Sequence, residues 1–135
     1  MAASLSGKVV AFLESRMQSE MAGLIERHGG TPYPAPVLQE VYLKDSPEVR
    51  RLIQDICAEQ VDIVVLLTGV GTQALVETAA SMGLEQDFLR SLNTRTIIAR
   101  SPKPARVLRR HKIHIDVMPP EPYTSQDLIQ AIQDM

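Results

Sequence analysis

The residues best suited to chemistry are hydroxyls, glycines and cations at three short turns. Thr68-Gly69-Val70-Gly71-Thr72 closes the apolar run Val61 to Leu67, and a helical pattern opens behind it. Glycines in such a turn let backbone donors approach an anion closely, and a helix start adds partial positive charge. Arg100, Ser101 and Lys103 follow the strand-like segment Thr94 to Ala99. Together with the first turn they supply hydroxyls, backbone amides and cations, an inventory that suits a carboxylate or a phosphate. Thr124 opens the last helix and completes the candidate set Thr68, Gly69, Gly71, Thr72, Arg100, Ser101, Lys103 and Thr124. No nucleophile–base pair and no pair of carboxylates stands out, and no catalytic residue is assigned.

Other chemistries find little support. Gly69 to Ala74 fits the loose dinucleotide pattern, but it follows the third apolar run rather than the first. The next run ends at Arg100, where an NAD site would want an acid. His28, His111 and His114 lack metal-ligand spacing, so no metal is expected; His28 and His111 fall near helix C-termini, where imidazole suits the dipole. The single cysteine, Cys57, excludes an internal disulfide and lies in an apolar helical stripe, as a plain buried thiol would. Glu14, Asp62 and Asp116 are isolated from one another in sequence.

Charge is uneven. The net charge is −2, yet Phe88 to Ile115 holds eight of the fourteen bases and none of the acids. Such a stretch attracts anions, or simply forms a solvated helix face. Aromatic residues are scarce, which argues against a nucleic-acid module. No run is long enough to cross a bilayer and the start lacks a signal-peptide pattern, so no membrane partner is expected and the cytoplasm is the default compartment.

The elements that must position these turns alternate. Lys8 to Leu13 reads as a strand, and Met17, Met21, Leu24 and Ile25 as the core stripe of a helix that Gly29-Gly30 stops. Thr31 to Val41 is extended, and Pro32, Pro34 and Pro36 make it an edge strand or a crossing segment. Ser46 and Pro47 start a helix with the stripe Val49, Leu52, Ile53, Ile56 and Cys57. Val61 to Leu67 reads as a central parallel strand covered on both faces. A helix over about 71–82 and a short one over 85–92 follow. Thr94 to Ala99 is a fourth strand, a basic helix runs to about His111, and Ile113 to Val117 is a fifth strand. Beyond a proline-rich linker, Thr124 and Asp127 form a capping-box variant, and Leu128, Ile129 and Ile132 give the last helix its stripe. Five strands with intervening helices predict an α/β fold: a parallel, doubly wound, flavodoxin-like sheet of order 2-1-3-4-5 spanning residues 1–135.

The same turns resemble a known family. Thr68 to Thr72 after its strand is similar to a turn of uroporphyrinogen-III synthases. Arg100-Ser101-Pro102-Lys103-Pro104-Ala105 is similar to the turn that follows in that family, and Pro122-Tyr123-Thr124-Ser125 to a helix start there. Gly7-Lys8-Val9-Val10, Arg16, and Gly29-Gly30 before a proline-rich strand also fit. The resemblance implies cyclisation of linear hydroxymethylbilane with inversion of its last ring, without metal or organic cofactor. It implies a substrate rich in carboxylates, held by the candidate residues above. Members of that family are nearly twice as long and two-lobed. Residues 1–37 resemble part of lobe one and residues 45–135 part of lobe two, so the resemblance covers the N-terminal half only. Position 101 is Ser where the family usually has glycine. A half unit, inactive or weakly active alone, is one expectation; a stand-alone or engineered flavodoxin-like scaffold that binds anions without catalysis is the other. The sheet would close within one chain, or between two chains exchanging halves across Pro34 to Lys44.

Overall fold

The computed structural model describes residues 4–38 and 46–135. It is an α/β structure in two compact units, residues 1–41 and 42–135. Strand β1 (Val9–Phe12), helix α1 (Gln18–Arg27) and strand β2 (Thr31–Pro34) make the first unit. The second holds α2 (Pro47–Cys57), β3 (Ile63–Leu66), α3 (Gly69–Ser81), α4 (Glu85–Leu92), β4 (Thr96–Ala99), α5 (Pro102–Arg110) and α6 (Ser125–Gln133). Expectations for residues 39–45, including most of the exchange segment ending at Lys44, lie outside the described residues.

In the first unit β1 pairs with β2 in parallel, Val9 opposite Thr31 and Phe12 opposite Pro34. Gly29 ends α1 with a φ of 83°, a left-handed turn that glycine adopts without steric penalty. Met17, Met21 and Leu24 are exposed, and only Ile25 of the expected α1 stripe is buried. Two short strands and one helix offer too little surface to cover four large side chains.

In the second unit β3 pairs with β4 in parallel, Ile63 opposite Thr96 and Leu66 opposite Ala99. The main core cluster lies on one face of this sheet, while Ile98 of β4 is buried on the other. Val64, Leu66 and Ile97 meet Ile53 and Ile56 of α2, Val76 and Ala79 of α3, Phe88 and Leu92 of α4, and Leu108 of α5. Helix α2 starts where the sequence places its cap. Ser46 Oγ accepts the Val49 N–H, Pro47 occupies the first turn, and Gly83 lies just past α3 with a φ of 71°.

Three expectations change. The four strands form two separate pairs rather than one sheet of order 2-1-3-4-5. The expected fifth strand reduces to a single parallel bridge between Ile98 and Val117. Its cause is local: the Asp116 carboxylate accepts the Ile97 N–H at 2.7 Å, which takes the donor a backbone carbonyl would need to extend the ladder. Finally, β3 is covered on one face only. Val64 and Leu66 are buried, while Ile63, Val65 and Leu67 are 50%, 39% and 50% exposed. Side chains alternate across a strand, and all the core helices just named pack on the Val64 side. Leu52 of α2 and Ile129 and Ile132 of α6 are likewise exposed, against their expected place in apolar stripes.

Candidate functional site

β3 and β4 run parallel, so their carboxyl ends open on the same side, where α/β sheets hold ligands. Thr68 follows β3 and caps α3: its Oγ1 accepts the Gly71 N–H at 2.9 Å. The helix opens at Gly69, two residues earlier than the glycine pattern suggests. A Cβ on Gly71 would sit 2.8 Å from Thr68 Oγ1, so glycine there leaves room for the cap. A Cβ on Gly69 would sit 3.1 Å from the Lys103 carbonyl oxygen. The first glycine of the turn therefore lets the start of α3 press against the start of α5, and the two helices pack on one another along their lengths.

Arg100 follows β4, and its backbone N–H bonds the Leu66 carbonyl at 3.0 Å. Ser101 is the N-cap residue of α5, but its hydroxyl makes no cap bond. Pro102 and Pro104 have no N–H, so Lys103 offers the one unused backbone donor in the first three helical positions. The third corner joins through Arg100, whose Nε donates to the Tyr123 carbonyl at 3.1 Å. Tyr123 lies directly before Thr124, the N-cap of α6.

Thus all three turns meet at one end of the second unit. Their side chains are not equally available. Thr72 is buried and its hydroxyl donates to the Thr68 carbonyl at 2.7 Å. Thr124 Oγ1 donates to Asp127 Oδ2 at 2.6 Å and accepts the Asp127 N–H, a complete capping box. The Asp127 carboxylate thereby occupies the positive end of α6 and disfavours a second anion there. The Thr124 hydroxyl bond, then the Thr124 N–H, hold that carboxyl below its ordinary value of 3.8. Of the candidate side chains, Thr68 and Lys103 are exposed and Arg100 and Ser101 half-buried.

The basic stretch divides. Arg95 is largely buried and bonds Glu59 at 3.1 Å, and Arg90 meets Asp87 at 3.2 Å. Arg109 and Arg110 fall in the last turn of α5, where cations suit the helix dipole. They lie about 10 Å along the helix from Lys103. Of this stretch, Arg100, Lys103 and the next turn's Arg106 stand near the rim. His28 and His111 are the C-cap residues of α1 and α5, as their positions suggest. Cys57 ends α2, half-buried, and burial followed by the nearby Asp87 charge pushes its thiol up. Among the described residues no cluster of His, Cys, Asp and Glu could hold a metal.

Two features are invisible in the sequence. Tyr123 has a left-handed backbone with φ 59°, and no glycine announces it. His114 lies with Nδ1 2.7 Å from Asn93 Oδ1 and Nε2 2.9 Å from Asp116 Oδ2, tying the end of α4 to the bridge segment. Asn93 is distant from it in sequence, and only the fold brings the two together.

Parallel strand pairs with helices between them define an α/β protein, with Arg100 and Lys103 following the carboxyl end of β4. The family model "Uroporphyrinogen-III synthase HemD" matches residues 19–135, and the chain belongs to the uroporphyrinogen-III synthase family. It is similar to a crystal structure of a mutant uroporphyrinogen III synthase from the extremely thermophilic bacterium Thermus thermophilus. That match has a TM-score of 0.72 and 28% identity over 90% of this chain and 46% of the other. A wild-type structure of the enzyme from the same organism matches at a TM-score of 0.55 and 27% identity, with the same coverage. An uncharacterized protein of Bacillus subtilis (strain 168), YjjA, is 30% identical over 133 residues, 98% of this chain and 48% of its own length. The chain spans about half the length of these relatives.

No helix among the described residues is long and apolar enough to cross a membrane.

Proposed function

We propose that the chain is a half unit of a uroporphyrinogen-III synthase-like protein in tetrapyrrole biosynthesis. Its rim holds carboxylates of linear hydroxymethylbilane while the last ring inverts and the macrocycle closes. The observation that carries this reading is the meeting of three carboxyl-end turns around Arg100, Ser101 and Lys103. A flexible chain of acidic rings closes faster when its ends are held together, and such positioning supplies a large part of a barrier lowering. Thr68 and the backbone N–H groups of Gly69 and Val70 add neutral donors beside the cations. Thr72 and Thr124 shape the turns from within, and Gly71 leaves space for the Thr68 cap.

We assign the chain little or no activity by itself. A sheet of order 2-1-3-4, with the Ile98–Val117 bridge on its β4 edge, forms when β1 and β2 of a second copy extend the free edge of β3. The prolines of β2 favour an outer edge for that strand, which leaves β1 as the joining strand. The exposed side chains of Ile63, Val65 and Leu67 give the second unit a reason to recruit such a neighbour.

The test is incubation with hydroxymethylbilane over a wide range of protein concentration, with the product isomers separated. A type III fraction that rises with concentration supports catalysis by paired copies. Type I product alone at every concentration overturns catalysis and leaves an anion-binding scaffold.

A further inference from the structure

Tyr123 combines two facts that sequence reasoning does not connect. Its φ of 59° is rare for a bulky residue and carries strain. Its carbonyl is the acceptor that fixes Arg100 Nε at 3.1 Å. Both sides of this residue are tied down. The Tyr123 N–H bonds the Pro120 carbonyl at 3.1 Å, and the Thr124 N–H bonds Asp127 Oδ2 at 2.7 Å. A strained peptide unit held between two fixed points keeps its carbonyl in one direction.

The consequence falls on Arg100. A guanidinium can meet a carboxylate side-on, through Nε and one terminal nitrogen, or end-on, through both terminal nitrogens. The Tyr123 carbonyl takes Nε and removes the side-on mode. Among the described residues no hydrogen bond or ion pair engages the two terminal nitrogens. The free end of the fork is thus the end-on pair, and its direction is set by the peptide that follows Tyr123.

We propose that Tyr123 is a positioning residue: its left-handed backbone aims its carbonyl at Arg100, which turns the guanidinium for end-on, two-point recognition of one tetrapyrrole carboxylate. This rests on the reading of the rim as a tetrapyrrole carboxylate site. The effect belongs to the Tyr123 backbone and not to its ring, and this makes it separable by substitution. Glycine adopts positive φ freely, whereas valine, branched at Cβ, strongly resists it.

The experiment uses the whole chain and uroporphyrin as probe, with affinity read by fluorescence titration and folding by circular dichroism melts. Four variants suffice: Tyr123→Gly, Tyr123→Val, Arg100→Lys and the double variant Tyr123→Val with Arg100→Lys. Tyr123→Gly should bind as the wild type does. Tyr123→Val should weaken binding by about tenfold, as loss of one charge-assisted hydrogen bond does. Arg100→Lys, which keeps the charge and loses both Nε and the fork, should weaken it similarly. The double variant should bind no worse than Arg100→Lys alone, because the valine acts only through the guanidinium. Should Tyr123→Val fail to fold, Tyr123→Ala, a milder bar to positive φ, takes its place in both backgrounds. Equal affinity of the glycine and valine variants overturns the proposal, as does an additive loss in the double variant. A wild-type chain that binds no uroporphyrin overturns the carboxylate reading itself; binding with no difference among the Tyr123 variants overturns only the role of Tyr123.

Discussion

Thr68 shows how one side chain serves several links at once. Its Oγ1 satisfies the Gly71 N–H, one of the donors that a helix start leaves unpaired, and its carbonyl accepts both the Thr72 N–H and the Thr72 hydroxyl. Thr68→Ala should destabilise the second unit by about 1 kcal/mol, the usual loss of an N-cap, read as a lower urea midpoint at unchanged slope. Three carboxyls carry a related acid dependence. Glu14 is held below its ordinary value of 4.5 chiefly by the Arg16 N–H, and Glu48 chiefly by the Ser46 hydroxyl. Asp127 is held down by Thr124 in the same way. Each binds its proton more weakly folded than unfolded, so each contributes stability that is complete above the unfolded value. That contribution fades as pH falls from about 4.5 through the lowered values. Melts between about pH 7 and pH 3 should show this loss, and Asp127→Asn should flatten the part that lies below 3.8. An Asp127→Asn chain with an unchanged pH slope contradicts the assignment.

At the scale of elements, the joint between α3 and α5 is the feature that builds the rim. Gly69 lies against the Lys103 carbonyl, and Lys103 stands between two prolines that stiffen its backbone. Gly69→Ala should therefore separate the two helix starts and destabilise by about 1–3 kcal/mol, the range of an overpacked contact. Thermal melts check it; a stability equal to or above the wild type would show that the backbone at Lys103 yields. Local signals of this kind are largely readable in the residues. The Ser46-Pro47 start of α2, the Thr124–Asp127 capping box and the left-handed Gly29 and Gly83 are each decided within a few positions. What sequence does not display are choices made at a distance. Ile113 to Val117 has the composition of a strand, but the Asp116 carboxylate answers the Ile97 N–H and leaves one bridge. Tyr123 takes a glycine's conformation between the Pro120 turn and the α6 cap, with nothing in its own side chain to announce it. The three corners of the candidate site are readable because parallel strands bring carboxyl ends together. The engagement of the Thr124 hydroxyl is legible in its capping box, but spacing does not reveal that Thr72 bonds back to the Thr68 carbonyl while Ser101 makes no cap bond.

For the whole molecule, Val61 to Leu67, apolar but for Asp62, reads as a strand with two dry faces, and the structure gives it one. Such a run suits a neighbour on the Ile63, Val65 and Leu67 side. The chain has two compact units and two separate strand pairs, and the pairing of copies proposed above joins β1 to the free edge of β3. Sedimentation velocity should find a dimer that Val65→Lys dissociates without unfolding, since a lysine there charges the exposed face and leaves the Val64 side of the core intact. A compact monomer for both chains contradicts completion by a second copy. The rim belongs to the second unit of each chain, so carboxylate binding is expected whether or not copies pair. The most direct measurement is uroporphyrin affinity for the wild type and for Arg100→Ala with Lys103→Ala at fixed salt. Saturable binding by the wild type and a loss of at least about tenfold in the double variant are expected. Equal affinity in the two chains, or no binding by either, would contradict carboxylate binding at this rim.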